Sequence, residues 1–331
     1  MRLSSRGMEF MEPLYPLRFE PIVRRHLWGG RRLETVLHKP LGQGNDFAET
    51  WEIVDHGADQ SVVVGGPWAG TTLHELTTEH GPALLGRHHP QPSFPLLFKF
   101  LDAQKTLSVQ VHPTDDQAAQ LQPPDRGKTE AWYVVAAEPG SVIYAGLKRW
   151  FDLPALKREL SRGTAELCLH QFEARAGACV LVPAGTVHAI GAGIVLAEIQ
   201  QSSDTTFRLY DWNRVGSDGR PRALHIEAAL AVTDFERGPV NPSPPRPTQR
   251  PHVSRLVECE KFVWDRWVFD TPQSAGGDDR CHIVAIVEGE VSWPGEAQPL
   301  RAGQTMLLPA ALPPTLLAPH GRVTLLDAYL P

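Results

Sequence analysis

The chain has 331 residues, a formal net charge of −6 and a hydrophobic fraction of 42%, values typical of a globular protein with more than one core. The negative charge argues against nonspecific binding to nucleic acid, and no apolar run is long enough to span a membrane. Its 30 prolines and 28 glycines, set among short β-branched runs, favour a mainly β architecture with many turns.

The N-terminus and the cysteines indicate a cellular compartment. Residues 1–12 lack the apolar centre of a signal peptide, and we predict that they form a disordered extension. The cysteines show no CxxC spacing, and Cys179 lies in an apolar run where a reduced core thiol is expected. The sequence therefore predicts a cytoplasmic protein.

Apolar periodicity and turn residues predict the elements in chain order. Helices are predicted over residues 72–80, 115–122, 152–161 and 224–235. Strands are predicted over residues 94–101, 106–113, 127–135, 179–183, 194–199 and 205–210. Residues 238–251 contain so many prolines that they predict a semi-rigid linker and a domain boundary, after which strands and turns resume over 252–331.

An internal repeat links the two halves of the chain. The segment Arg-Ala-Gly-Ala-Cys-Val-Leu-Val-Pro at 175–183 is matched by Arg-Ala-Gly-Gln-Thr-Met-Leu-Leu-Pro at 301–309. The same order of turn, strand and proline suggests two copies of one β-unit. The copies differ after the proline, because His188 of the first corresponds to Pro314 of the second. We therefore expect histidine chemistry only in the first unit.

The strand at 106–113 has two faces of different chemistry. Side chains alternate along a strand, so Ser108, Gln110 and His112 share one face while the intervening leucine and valines face a core. Such a strand can present polar ligands inside a barrel. Taken alone, it is equally compatible with a half-exposed strand that has a polar outer face.

Two polar residues on later segments extend this set. Glu130 lies at the start of the strand over 127–135, and His188 follows Val-Pro-Ala-Gly-Thr in a turn between strands. Together with Gln110 and His112 they supply two imidazoles, a carboxylate and an amide oxygen, which suit zinc or another divalent first-row metal. No cysteine takes part, which favours a catalytic rather than a structural metal site.

Several long motifs carry a family resemblance. Pro-Ala-Gly-Thr-Val-His at 183–188 resembles the second motif of the cupins. Residues 98–113, 127–132, 188–208, 210–212 and 224–227 resemble type I mannose-6-phosphate isomerases, in their short bacterial form. The resemblance covers roughly residues 13–235. It implies a mainly β cupin jelly-roll, or double-stranded β-helix, with a few helices and a second, smaller cupin-like β-domain.

The resemblance also implies a domain plan and a metal. A catalytic cupin domain with helical insertions is expected at 13–237, the linker at 238–251, and a C-terminal cupin-like domain without metal ligands at 252–331. The family's zinc ligands fall on Gln110, His112, Glu130 and His188, which predicts one Zn²⁺ per chain.

The implied reaction interconverts mannose 6-phosphate and fructose 6-phosphate by proton transfer through an enediol. Among the residues carried over, Glu198 is the first candidate for proton transfer, and Lys128 is a second candidate, either moving protons or holding the enediolate. Arg208 is expected to bind phosphate or enediolate oxygens. Lys99 and Ser108 are further candidates for the phosphate. For Lys99 and Arg208 the alternative is a buried ion pair that closes the barrel.

Two other functions remain open from the sequence. One is an iron-dependent cupin oxygenase, although such sites usually use more histidines than this set contains. The other is a sugar-phosphate-binding cupin without turnover. A small hexose 6-phosphate is the expected partner, with no nucleic acid or membrane, and the chain is expected to be a monomer or homodimer.

Overall fold

The computed structural model describes residues 12–215 and 219–331. Apart from its last residue, the N-terminal extension predicted at 1–12 lies outside the described residues. Within the described residues, no helix is long and apolar enough to cross a membrane.

Strands dominate the described chain. In the N-terminal half they are β1 (Ile22–Gly30), β2 (Phe47–Ile53), β3 (Asp55–His56), β4 (Asp59–Gln60), β5 (Leu96–Ala103), β6 (Val109–Val111), β7 (Glu130–Ala137), β8 (Val142–Leu147), β9 (Leu169–Glu173), β10 (Cys179–Val182), β11 (His188–Ile190), β12 (Ile194–Gln201) and β13 (Phe207–Tyr210). In the C-terminal half they are β14 (Arg246–Pro247), β15 (Val253–Glu258), β16 (Val263–Phe269), β17 (Gln273–Ala275), β18 (His282–Glu288), β19 (Glu290–Ser292), β20 (Leu300–Arg301), β21 (Thr305–Leu308), β22 (Thr315–Pro319) and β23 (Val323–Tyr329).

The helices are short. They are α1 (Arg32–Leu37), α2 (Leu73–Glu79), α3 (Gly81–Leu85), α4 (Asp115–Ala118), α5 (Leu153–Arg162) and α6 (Ile226–Val232), with 3₁₀ turns at Gly86–His88 and Ala165–Cys168.

Two facing sheets form what we call the first barrel. One sheet has the strand order β1-β2-β5-β12-β7-β10 and the other has the order β13-β6-β11-β8-β9. Their inner faces bury apolar side chains from both sheets, among them Trp132, Ile143, Ile190 and Leu196. The predicted cupin jelly-roll is confirmed.

The second barrel repeats this plan in the C-terminal half. Its six-stranded sheet has the order β14-β15-β16-β23-β18-β21 and faces a four-stranded sheet, β17-β22-β19-β20. The repeated sequence segments form β10 and β21, which are the last strands of the two six-stranded sheets. The sequence repeat therefore corresponds to a repeat of the sheet.

The two barrels pack back to back. The outer faces of the six-stranded sheets share one hydrophobic cluster, in which Phe98 and Trp264 meet edge to face at 6.4 Å between ring centroids. The Pro-rich segment at 238–251 contains the edge strand β14, and Val240 N–H donates to Ala145 O of the first barrel. A domain boundary at this segment stays a prediction.

Local capping explains where the helices begin. Thr72 and Glu75 form a capping box at α2, and Asp152 accepts a hydrogen bond from Ala155 N–H at the start of α5. Both helices lie where the sequence predicts them. Helix α6 begins at Ile226 instead of residue 224, because His225 N–H donates to Arg208 O and ties the preceding residues to β13, and it ends at Val232 instead of residue 235.

Three further segments differ from the predictions. Helix α4 ends at Ala118 instead of continuing to residue 122, and Asp125 N–H closes back onto Ala118 O. Strand β6 spans only Val109–Val111, since a capping box at Thr114 ends the extended segment. His188 begins strand β11 and pairs with Gln110, instead of lying in a turn.

Candidate active site

A cavity of about 490 Å³ opens inside the first barrel. Seven of the residues that the sequence selects line it, namely Lys99, Ser108, Gln110, Lys128, Glu130, Glu198 and Arg208. The other two, His112 and His188, lie beside it and are each 1% exposed. The fold thus brings all nine residues to one place.

Strand register produces this convergence. Gln110 of β6 stands opposite His188 of β11, and Gln200 of β12 stands opposite Glu130 of β7. Two residues before Gln200 along β12, Glu198 points to the same face and pairs with Lys99 of β5. On the other face of β6, the valines pack in a core with helices α5 and α6.

His112, Glu130 and His188 form a buried group that can hold a metal ion. Their candidate ligand atoms all lie within 4.8 Å of one another. His188 Nε2 is 3.1 Å from Glu130 Oε1, and His112 Nε2 is 3.5 Å from Glu130 Oε2. The side-chain amide of Gln110 faces the same point, with its nitrogen 3.3 Å from His188 Nε2 and 3.5 Å from His112 Nε2.

Backbone carbonyls fix the tautomer of both imidazoles. His112 Nδ1 lies 2.8 Å from Thr205 O, and His188 Nδ1 lies 2.8 Å from Thr186 O. A carbonyl oxygen only accepts, so each Nδ1 carries the proton and each Nε2 lone pair faces the cluster. Burial lowers the pKa of His112 well below its ordinary value and that of His188 to about 4, which keeps both rings neutral.

The carboxylate of Glu130 fits a cation at this point. It is 1% exposed, and neither of its oxygens has a hydrogen bond from the part of the chain that the structure describes. The Lys128 ammonium lies 3.3 Å from Oε2 as an ion pair, which leaves Oε1 facing the histidines. A buried carboxylate without hydrogen bonds is costly, and two neutral imidazole lone pairs beside it complete a donor set for a divalent metal.

A chain of alternating charges lies next to the metal group. Lys99 Nζ is 3.4 Å from Glu198 Oε1 and 3.3 Å from Glu49 Oε2, and Lys128 Nζ is 3.9 Å from Glu198 Oε1. Glu49 also accepts a hydrogen bond of 2.6 Å from the indole of Trp51.

The pKa values of this chain follow from burial and from these neighbours. Burial raises the pKa of Glu198 to about 7, against the opposing pull of Lys99. Burial disfavours the charge of Lys99, but Glu198 and Glu49 outweigh it and hold the Lys99 pKa above its ordinary value. Glu198 is therefore a buried carboxyl group that can gain and lose a proton near neutral pH.

Arginine side chains lie at the open end of the cavity. Arg208 is half-buried and donates to Ser108 Oγ at 3.3 Å and to Ala223 O at 2.9 Å. Among the described residues it has no carboxylate partner, whereas Arg222 beside it pairs with Asp211. The Arg208 guanidinium is therefore available for an anionic group.

The sequence reasoning missed Glu49 and Arg222, which both line the cavity. For Glu49 a signal was present in the sequence, because the run Phe-Ala-Glu-Thr-Trp-Glu-Ile at 47–53 sets two glutamates among apolar residues, and the structure buries this whole strand, β2. A charged residue inside a fully buried strand must have a partner. Nothing local indicated Arg222, whose place at the cavity depends on the pairing with Asp211.

Comparison with known proteins decides the family. The model for the catalytic domain of type I phosphomannose isomerase matches residues 17–133. Mannose-6-phosphate isomerase ManA of Bacillus subtilis is 35% identical over 306 residues, which cover 90% of this chain and 94% of that protein. The chain belongs to the type I mannose-6-phosphate isomerase family.

Solved structures of the family agree with this assignment. The crystal structure of the mannose 6-phosphate isomerase from Bacillus subtilis matches with a TM-score of 0.86 and 28% identity, over 95% of this chain and 99% of that one. A mannose 6-phosphate isomerase crystallised with zinc and yttrium shares the fold, with a TM-score of 0.72 and 17% identity over 95% of this chain and 99% of that one. The family resemblance predicted from the motifs is confirmed.

Proposed function

We propose that this chain interconverts mannose 6-phosphate and fructose 6-phosphate with the help of one bound zinc ion. The observation that carries the proposal is the buried His112, Glu130 and His188 group, which adjoins the cavity that Glu198 and Arg208 line. Membership of the family supports the substrate. A coupled assay of the purified chain with mannose 6-phosphate tests it directly.

The proposed metal ligands are the two histidines, Glu130 and Gln110. The Gln110 amide would present its oxygen, which takes the position of the amide nitrogen beside the two histidines when the amide is flipped by about 180°. A set of nitrogen and oxygen donors without cysteine suits zinc at a catalytic site. When bound, the ion supplies positive charge for substrate oxygens on which negative charge develops.

Glu198 is the proposed proton-transfer group. Moving a carbonyl between neighbouring carbons requires that a proton leaves one carbon and a proton reaches the other. A buried carboxylate with a raised pKa can accept the first and return the second. We propose that Lys128, between Glu130 and Glu198, holds a substrate oxygen, and that Lys99 keeps Glu198 positioned.

Arg208 and Ser108 are the proposed phosphate contacts. The Arg208 guanidinium already donates to Ser108 Oγ, so both groups can face one phosphate oxygen. Lys99 was the third candidate, but its ammonium is engaged by Glu49 and Glu198 deep in the barrel. These contacts favour the ion-pair alternative for Lys99.

Arg208→Ala should lower kcat/KM about 10- to 100-fold, because a charge-assisted contact to an anion contributes roughly 1.5–3 kcal/mol. The matched control is Arg175→Ala, which removes an arginine that pairs with Glu173 on the surface. Steady-state kinetics with mannose 6-phosphate provide the measurement. Unchanged kinetics in Arg208→Ala would refute the phosphate contact.

The pH dependence of kcat/KM should show an acid limb that reports the protonation of Glu198. The base form is unprotonated, so activity is full above its pKa and is lost as the pH falls through it. Burial, opposed by Lys99, raises the pKa of Glu198 to about 7, and a bound cation lowers it again, which places the limb at or below pH 7.

The variant Lys99→Met tests the assignment of that limb. Removal of a cation 3.4 Å from Glu198 should move the limb of kcat/KM to higher pH, whereas Lys157→Met on the exposed face of α5 should not. A limb that stays in place or moves to lower pH in Lys99→Met contradicts the role of Glu198.

The two rival functions differ in what they consume. An iron cupin oxygenase would take up oxygen, and a binding protein would hold hexose phosphate without turnover. Metal analysis and an oxygen electrode, run beside the isomerase assay, separate all three.

Among described residues all four cysteines are free, which supports the proposal of a reducing, cytoplasmic location. A monomer or homodimer stays a prediction.

A further inference from the structure

The second barrel contains a cavity of its own. Its volume is about 540 Å³, close to the 490 Å³ of the first. Acidic residues and a histidine line it together with arginines and Trp267. This size suits a small organic molecule.

Sheet register shows that this cavity is the counterpart of the isomerase site. Glu130 stands opposite Val182 in the first barrel, and His282 stands opposite Leu308 in the second. Val182 and Leu308 are equivalent residues of the sequence repeat. His282 therefore takes the place of Glu130.

The neighbouring positions correspond as well. In the first barrel Glu198 of β12 stands opposite Lys99 of β5. In the second, Asp327 of β23 stands opposite Asp265 of β16. The interior of the second barrel is thus polar at the positions where the first barrel carries its proposed chemistry.

The second cavity is not a metal site. His282 Nδ1 lies 2.9 Å from Asp327 Oδ1, and Nε2 lies 3.0 Å from Asp278 Oδ1. With a carboxylate at each nitrogen, the ring donates twice and keeps no lone pair for a metal. Burial opposes its charge, but Asp327 and Asp278 outweigh burial and raise the pKa of His282 to about 10.

The deep end of the cavity has unused hydrogen-bonding capacity. Asp327 is 2% exposed, and within the described chain only its Oδ1 has a hydrogen bond. Trp267 is 4% exposed, and its indole N–H has no partner there. An acceptor and a donor in a buried wall are suited to hydroxyl groups.

The mouth is cationic. The Pro-rich segment supplies Arg246 and Arg250, and Arg250 stacks over Trp267 at 5.3 Å from the ring centroid. Arg246 pairs with Glu258 at 3.1 Å. Arg250 donates to Ser274 O at 3.2 Å, and in the described parts of the chain no carboxylate pairs with it. Its charge is available to an anion.

We infer that this second cavity binds a small phosphorylated sugar or polyol. The unused carboxylate oxygen of Asp327 accepts hydrogen bonds from hydroxyls, and the indole N–H of Trp267 donates one, so the hydroxyls face Asp327 and Trp267. The phosphate lies at the mouth, where Arg250 contacts it. The site is separate from the isomerase reaction, and it gives the second barrel a function that needs no metal.

Calorimetry on the full-length, chelator-treated chain tests this inference with fructose 6-phosphate as the probe. The background variant Arg208→Ala removes the proposed phosphate contact of the first barrel. In this background we expect one fructose 6-phosphate per chain, and at least about tenfold weaker binding when Arg250→Ala is added. Arg322→Ala, an exposed arginine of the same barrel that does not line the cavity, should leave the affinity unchanged.

Asp327→Asn separates the sugar contact from the phosphate contact. It should weaken fructose 6-phosphate and leave the weaker binding of inorganic phosphate unchanged, with a thermal melt to establish that the variant is folded. The inference is overturned by absence of binding in the background variant, by equal affinity in Arg250→Ala, or by inorganic phosphate binding as tightly as the sugar phosphate. Turnover is not measured, so an inactive chain would leave this result interpretable.

Discussion

Replacement of Glu198 by Gln should lower kcat about 10²- to 10⁴-fold, the usual contribution of a positioned acid–base group. The amide keeps the size of the side chain but can neither accept nor return a proton at the reacting carbon. Because the His112, Glu130 and His188 group is untouched, metal content should stay that of the unmodified chain. Steady-state kinetics and elemental analysis of the same preparation provide the two measurements.

The matched control is Glu173→Gln, which changes an exposed glutamate of β9 that pairs with Arg175. It should retain full activity. Glu198→Gln also leaves Lys99 with Glu49 as its remaining carboxylate partner, so a thermal melt is needed to show that the variant is folded. A folded, metal-loaded Glu198→Gln with normal turnover would remove Glu198 from the reaction.

Removal of the metal should abolish isomerase activity, and added zinc should restore it. Without the metal, Glu130 is a buried carboxylate that has the Lys128 ammonium beside it but no hydrogen bond from the described residues, and the substrate oxygens lose the charge that stabilises them. The melting temperature should rise with zinc, because a ligand that binds only the folded chain stabilises it. Chelation, dialysis and titration with zinc, followed by activity and melting, test both expectations.

His188→Ala should lose the metal together with the activity, since one of its imidazole ligands is gone. His320→Ala, which removes an exposed histidine beside Glu290 in the second barrel, should retain both. Full activity of a chain shown by elemental analysis to be free of metal would refute the metal role, whatever the behaviour of the variants.

The sequence by itself determined the residue chemistry and the local structure. Alternation along a strand places Gln110 and His112 on one face in any fold that keeps 106–113 extended. Caps at Thr72 and Asp152 act within one turn of their helices, so α2 and α5 could be predicted from neighbouring residues alone. The repeated segment also revealed a second β-unit before any strand pairing was known.

Only the tertiary structure decided which distant residues meet. Glu130 and His188 lie on strands whose register depends on long-range pairing, which no local pattern encodes. The carbonyls of Thr205 and Thr186 set the imidazole tautomers, and Glu49 joins Lys99 across β2 and β5. Strand pairing also places His282 at the position of Glu130. The second copy of the repeat, which lacks the histidine found after the proline of the first, therefore still forms a polar cavity. Local sequence determines which side chains share a strand face and where a helix is capped, whereas sheet register determines which distant residues meet in a functional site.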